Sequence, residues 1–206
     1  MEQIYEMKLW GGESAIPFYS GEGSHHPELV VPYLKMVIHF LQSFEKPLIV
    51  LDLGCGDFNV GKALVSHTRK YIAVDIVPDL IAYNKKTFNA ENLEFRCLDI
   101  AKENWPKADC IILRQVLQHL SNAEIQQIVS KLGNYKYVLL TEHLPQGDFI
   151  PNKDIISGQG IRLKKQSGVD VLAAPFHLKV KSAKQLLTVP VTDGKGVIKT
   201  MLYKLF

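Results

Sequence analysis

The chain has 206 residues, 47% of them hydrophobic and 22% charged, with 24 Lys and Arg against 21 Asp and Glu and a formal net charge of +3. These values suit one globular domain able to bury most of the surface its unfolded chain exposes, and the small basic excess argues against a dedicated nucleic-acid binder. No apolar stretch approaches the ~18 residues that span a bilayer, and the first ten residues carry acids and no apolar core, unlike a signal peptide, so a cytoplasmic protein without membrane contact is expected.

Residues 1–27 read as irregular, with turn formers concentrated between Tyr19 and Pro27. Residues 28–44 place Val30, Leu34, Val37, Ile38 and Leu41 at helical spacing, with prolines only near the start, which predicts an amphipathic helix. From Leu48 onward short apolar runs alternate with amphipathic segments. Residues 48–53 predict a buried strand, and Val60, Ala63 and Leu64 predict a helix after it. Residues 71–75 predict a second strand, followed by a helix with Pro78 in its first turn and Leu80, Ile81, Tyr83 and Phe88 as packing groups. Residues 93–97 and 109–113 predict the third and fourth strands.

Ser121 and Glu124 have capping-box spacing, Ile125, Ile128, Val129 and Leu132 form a stripe, and Gly133 stands where a helix ends. Residues 137–141 predict a fifth strand. Continuous apolar strands between helices imply a parallel sheet covered on both faces. Residues 146–168 hold five glycines or prolines and predict a long loop, and residues 185–206 predict a hairpin turning at Thr192-Asp193-Gly194-Lys195. The expected organisation is a single domain over 1–206. It comprises an N-terminal lid and helix (1–47), a ligand-binding core (48–145), and a loop with closing hairpin (146–206).

The informative stretch is Asp52-Leu53-Gly54-Cys55-Gly56. A buried strand runs into a turn with two glycines, which let a ligand approach the backbone and permit positive φ; ligands of doubly wound sheets bind at the carboxyl ends of the strands. Asp75 ends the second predicted strand, where a carboxylate can accept two ribose hydroxyls, and Asp99 follows the third. A nicotinamide or flavin site wants G-x-G-x-x-G, yet the third glycine position holds Asn59. Asp52, two residues before the first glycine, would repel a pyrophosphate and attract an ammonium group. The pattern therefore favours a ligand with a cationic end and no phosphate. Read singly, Asp52 also suits a turn cap, Asp75 a helix N-cap and Asp99 a turn residue.

With these residues in place, the chain resembles the class I S-adenosylmethionine-dependent methyltransferases. Asp52-Leu53-Gly54-Cys55-Gly56 is similar to their first motif, Val74-Asp75-Ile76 to their ribose-binding acidic loop, and Leu98-Asp99-Ile100 to their adenine-contacting motif. The segment from Arg114 to Leu120 is similar to the one after their fourth strand. The resemblance covers roughly residues 48–142. It implies a Rossmann-like, doubly wound, seven-stranded sheet, mostly parallel with a C-terminal antiparallel hairpin, and S-adenosyl-L-methionine as cofactor. It implies that Asp52, Gly54 and Gly56, with Cys55 between them, face the methionine part, that Asp75 and Ile76 meet the ribose, and that Asp99 and Ile100 hold the adenine. Two departures stand out. Asp57 occupies the place where many members have a third glycine, and Arg114 would bring a cation near a cationic sulfur, so it is expected to face Asp52 or the methionine carboxylate.

Methyl transfer is an in-line displacement, so the protein chiefly aligns the partners and excludes water; a base is needed only for a protonated acceptor. His119, Glu142 and His143 are the candidate bases, against readings as a core or capping histidine and surface loop groups. Residues 19–24 form the candidate lid, whose glycines permit movement and whose hydroxyls, that of Tyr19 among them, are expected to close over the cofactor. His25 and His26 belong to that flap or are exposed, and Trp10 and Tyr33 line an aromatic wall or pack on the body. Residues 146–168 are the candidate acceptor loop, where Arg162 anchors an anionic acceptor or is a surface group. The acceptor is expected to be a small molecule or glycan-type compound, with nucleic acid disfavoured. The alternative is a methyltransferase-like binding or regulatory protein without transfer activity. Cys55, Cys97 and Cys110 show no zinc spacing and read as buried free thiols, and no metal is expected.

Overall fold

In the computed structural model, residues 2–12, 17–191 and 196–206 are described. The chain divides into two compact units, Met1–Asp109 and Cys110–Phe206.

The first unit holds helices α1 (Glu2–Glu6), α2 (Glu22–His25), α3 (Pro27–Gln42) and α4 (Pro78–Thr87), with strands β1 (Ile49–Leu53), β2 (Lys70–Asp75) and β3 (Leu93–Cys97). The strands are parallel in the order β3-β2-β1. Nearly every residue of β1 and β2 is buried, as strands covered on both faces require. Their registers, Leu53 opposite Val74 and Asp75 opposite Cys97, bring the carboxyl ends of all three strands to one edge. Helix α3 opens with Pro27 at its first position, and the buried groups are Val30, Tyr33, Val37 and Leu41, so Tyr33 takes the central place expected of Leu34. In α4 the buried residues are Leu80, Ile81 and Asn84; Tyr83 and Phe88 instead meet the aromatic rings of Phe18 and Phe58.

The helix expected around Val60 to Leu64 is not formed. Two short 3₁₀ turns, Gly61–Ala63 and Val65–His67, replace it. The cause lies in Phe58, whose backbone is left-handed (φ 62°) and whose ring is fully buried against Tyr71, Phe88 and Phe95. A Cβ on Gly61 would meet that ring at 2.4 Å, so the segment is shaped around the ring and not by helical spacing.

The second unit holds β4 (Cys110–Arg114), α5 (Asn122–Leu132), β5 (Tyr137–Leu144), β6 (Ser182–Pro190) and β7 (Val197–Lys204), in the strand order β4-β5-β7-β6. β4 and β5 are parallel, and β7 pairs antiparallel with both β5 and β6. Together the strands make one seven-stranded sheet, mostly parallel with a C-terminal antiparallel hairpin. The expected turn at 192–195 lies outside the described residues. Helix α5 carries the full capping box between Ser121 and Glu124, and its stripe of Ile125, Ile128, Val129 and Leu132 is buried. It ends at Gly133 in ordinary right-handed geometry (φ −57°), not in the left-handed turn that favours glycine. Among the cysteines Cys110 is buried, Cys55 half-buried and Cys97 exposed, so the expectation of three buried thiols is corrected. No described helix is long and apolar enough to cross a membrane.

Candidate active site

The turn after β1 has the backbone its glycines allow. Gly54 (φ 83°) and Gly56 (φ 56°) are both left-handed. The N–H groups of Gly54 and Cys55 both donate to the Val74 carbonyl, at 2.8 and 2.9 Å, tying the turn to the end of β2. The Gly56 N–H donates to Asp75 Oδ2 at 3.1 Å, the Val77 N–H donates to Asp75 Oδ1 at 3.2 Å, and the Asn84 amide donates to the Gly56 carbonyl at 2.8 Å.

Three carboxylates converge on this turn. Asp52 is buried and accepts the Tyr71 hydroxyl at 2.8 Å; burial and the adjacent Asp52 charge push that hydroxyl well up. Burial likewise raises the Asp75 carboxyl, against the pull of its backbone donors from Val77 and Gly56. Desolvation, then the charges of Asp75, Asp52 and Asp57, drive the Cys55 thiol well up, so all three acids act on one point of the turn. A crowd of carboxylates there disfavours phosphate and favours a cationic group.

The N-terminal segment closes over the turn. The Asp57 N–H donates to Ser20 Oγ and the Ser20 N–H donates to Asp57 Oδ2, each at 2.8 Å. His25 Nε2 lies 2.6 Å from the same Oδ2, and the Asn59 amide donates to the Ser24 carbonyl at 2.8 Å. The Tyr5 hydroxyl is 3.0 Å from Ser20 Oγ, and its ring meets Trp10 and Phe18 edge-on. Trp10 and Phe18 pack on the cluster of Tyr5, Val77 and Leu80, whereas Tyr33 is buried in α3. Tyr19 stacks on His25 at 4.3 Å and its hydroxyl donates to Glu22; desolvation and that bond push it up to about 12.

Beyond β2, Ile76 is 42% exposed, an apolar surface beside Asp75. Asp99 accepts the Ala101 N–H at 3.0 Å and lies 3.1 Å from the Lys102 ammonium, which hold its carboxyl below the usual range although partial burial works the other way. Its own N–H donates to Glu103. The Ile100 carbonyl accepts the Trp105 indole at 2.9 Å, which fixes the backbone that follows Asp99.

In the second unit Arg114 stands at the carboxyl end of β4, followed by Gln115 at φ 57°. A 3₁₀ turn, Leu117–His119, comes next. Glu142 is a strand residue, 2% exposed, and not a surface loop group: its carboxylate accepts the Leu117 and Gln118 N–H groups at 3.0 and 2.9 Å. Burial pushes that carboxyl up to about 8. Gln118 accepts the His143 N–H at 2.9 Å, and its amide nitrogen lies 3.2 Å from His119 Nε2. Desolvation holds the His119 imidazole below its ordinary pKa, so it is neutral at neutral pH.

Arg162 is neither a surface group nor an anchor for an outside anion. It is 1% exposed and donates to the carbonyls of Lys153, Leu117, Gln118 and Leu120 and to the Asn122 side chain. Asn152 (φ 58°) staples the same loop through the Asp170 and Ala174 carbonyls and the Asp170 N–H. Residues 146–168 are thus folded back on the His119 turn and the start of α5. The sequence pattern did not single out Tyr5, Tyr71, Asn84 or Gln118. Each is an uncharged side chain whose partner is distant along the chain, and only Asn84, a polar residue on the buried side of α4, left a signal in the spacing.

Residues 50–135 match the family described as "Methyltransferase domain". An uncharacterised RNA methyltransferase of Chlamydia pneumoniae is 28% identical over 140 residues, covering 63% of this chain and 34% of that protein. Malonyl-[acyl-carrier protein] O-methyltransferase of Acetivibrio thermocellus is 38% identical over 74 residues, 34% of this chain and 26% of that protein. The chain's matches thus span about a third and about a quarter of these relatives' lengths. The crystal structure of N-methyltransferase NodS from Bradyrhizobium japonicum WM9 with S-adenosyl-L-homocysteine has a TM-score of 0.69 at 11% identity, over 98% of this chain and 97% of that one.

Proposed function

We propose that this chain is a class I S-adenosylmethionine-dependent methyltransferase, a reading supported by the match of residues 50–135 to a methyltransferase domain, and that it transfers the cofactor's methyl group to a small-molecule or glycan-type acceptor. The observation that carries the reading is the convergence of Asp52, Asp57 and Asp75 on a left-handed glycine turn. A sulfonium cofactor brings an already activated methyl group and a cationic tail, and that charge is what three carboxylates attract. In this reading Asp52, Gly54, Cys55 and Gly56 meet the methionine part, with Arg114 toward its carboxylate. Asp75 and Ile76 take the ribose, Asp99 and Ile100 the adenine, and Tyr19 belongs to the covering lid. The near balance of 24 basic and 21 acidic residues supports a small acceptor, since a polynucleotide acceptor draws on many phosphate contacts.

His119 is the base this reading favours for a protonated acceptor, because its depressed pKa keeps the lone pair available at neutral pH. His143, at the end of β5, is the second candidate. Glu142 spends its carboxylate on two backbone N–H groups and serves better as the support of the His119 turn. That same engagement favours a second reading, a cofactor-binding protein without transfer activity.

Thermal unfolding tests the proposal. S-adenosylhomocysteine at about 100 times its Kd should stabilise the fold by roughly 2.7 kcal/mol, NAD should do nothing, and Asp75→Ala should abolish the effect while the apo protein stays folded. Stabilisation by NAD and not by the adenosyl compound refutes it. Release of S-adenosylhomocysteine with a panel of small acceptors separates enzyme from binder, and transfer to an RNA pool alone refutes the small-molecule acceptor.

A further inference from the structure

The 3₁₀ turn Leu117–His119 is pinned from both sides. Its N–H groups are taken by one acid: Glu142 accepts from Leu117 at 3.0 Å and from Gln118 at 2.9 Å, one carboxylate oxygen each. Its carbonyls are taken by one base: Arg162 donates to those of Leu117, Gln118 and Leu120. The loop of residues 146–168 adds a bond from the Gly158 N–H to the His119 carbonyl at 3.0 Å. Glu142 and Arg162 are both buried, so water does not compete for these bonds. The turn has little freedom, and the side chains at 118 and 119 leave it from fixed starting points.

Gln118 is buried as well, and its amide is oriented by what it touches. The His143 N–H donates to Oε1 at 2.9 Å, a bond that only the oxygen end of the amide can accept. The NH₂ end is therefore the one that stands against His119 Nε2, at 3.2 Å. An amide nitrogen donates and does not accept, so Nε2 supplies the lone pair and the imidazole proton belongs on Nδ1. The surroundings of the ring agree. Burial lowers the imidazole's pKa and the Arg162 charge acts in the same direction, whereas hydrogen bonding with the backbone of Gly158, Gln159 and Gly160 raises it. A backbone contact that raises the pKa is a carbonyl accepting a ring N–H, and with Nε2 facing an amide hydrogen that N–H is on Nδ1.

We propose that Gln118 is a positioning residue: its amide fixes His119 with the proton on Nδ1 and the basic lone pair on Nε2, so Nε2 is the atom that takes the acceptor's proton. The proposal rests on the methyltransferase reading above, with His119 as its base. An acceptor O–H or N–H takes the amide's place as the donor to Nε2. The proton passes to Nε2, the bonding pair stays on the acceptor atom, and the imidazolium that results carries a proton on each nitrogen.

Long-range proton–nitrogen NMR correlations of the full chain, with isotope-labelled histidine at neutral pH, read the tautomer directly; the signals missing from His119→Gln are those of His119. The wild type should show a protonated Nδ1 and an unprotonated Nε2. Gln118→Glu keeps the shape of the side chain but offers Nε2 a carboxylate oxygen, which accepts and does not donate, so the Nε2 signal should shift to the protonated position. Gln118→Met removes the polar end without adding charge. It should leave the two tautomers mixed, and it serves where a buried carboxylate at 118 prevents folding. A wild type with the proton on Nε2, or variants whose His119 signals match the wild type's, overturns the proposal. Calorimetric titration with S-adenosylhomocysteine tests the premise separately: a wild type that does not bind it leaves the tautomer in place and removes the methyltransferase reading that gives His119 a proton to take.

Discussion

Replacing Arg162 by Met should unfold the second unit's loop from its support. The guanidinium donates five hydrogen bonds: four to backbone carbonyls of residues 153, 117, 118 and 120, and one to the Asn122 side chain. The residue is 1% exposed, so water does not replace those donors. A hydrogen bond from a charged donor contributes about 1.5–3 kcal/mol net, and each buried carbonyl left without a donor costs about 1–3 kcal/mol in desolvation, partly offset as the loop relaxes. We expect roughly 4 kcal/mol of destabilisation and, at ~2–4 °C per kcal/mol for a chain of this size, a fall of about 8–16 °C in Tm. Lysine has three donors on a point charge and cannot serve five acceptors, so Arg162→Lys should lose about half as much. Urea unfolding and calorimetry measure both. If the Met variant stays within about 1 kcal/mol of the wild type, the bonds carry nothing and the burial argument fails. If it keeps its stability but loses affinity for an anionic compound, Arg162 is the anion anchor that its surroundings argue against.

Glu142 makes stability depend on pH. Its carboxyl is raised from 4.5 to about 8, so the native state holds a proton that the unfolded state has released, and stability present below pH ~4.5 is lost as pH rises toward 8. The difference between wild type and Glu142→Gln should therefore shift against the wild type by about 1.4 kcal/mol per pH unit in that window; a flat difference between pH 5 and 8 in urea titrations refutes it. Gly56→Ala places a Cβ 2.4 Å from Ser20 Oγ on a residue at φ 56°, costing about 1–2 kcal/mol. It should loosen the N-terminal strap, seen as faster tryptic cleavage after the exposed Lys8; unchanged cleavage contradicts the packing. Tyr71→Phe withdraws a donor from buried Asp52 and should cost about 1–3 kcal/mol, so a neutral result by calorimetry means the hydroxyl is not needed.

The site was readable where its chemistry is local. Gly54 and Gly56 are left-handed because a strand must turn sharply into the next segment, and two glycines two apart announce that need. The Ser121–Glu124 capping box is likewise written within four residues. The helix expected around residue 60 was misread because its periodicity is real but Phe58, packed on rings from residues 71, 88 and 95, governs the backbone there. Asp57 was noted as a missing glycine, and its partners at Ser20 and His25 were hidden because they lie 37 and 32 residues away. Glu142 and Arg162 look like surface residues in sequence, since a charged side chain carries no mark of burial until its hydrogen-bond partners are known.

The residues alone determined the succession of strands, helices α3, α4 and α5, the glycine turn, and the row of acids at strand ends, because apolar periodicity and backbone freedom act over a few neighbours. Tertiary structure alone decided which charges are buried, that the N-terminal strap lies on Gly56, and that Arg162 stitches its loop to the His119 turn. Those outcomes depend on hydrogen bonds between segments far apart in the chain, whose strength comes from the low-dielectric interior that only the folded molecule creates.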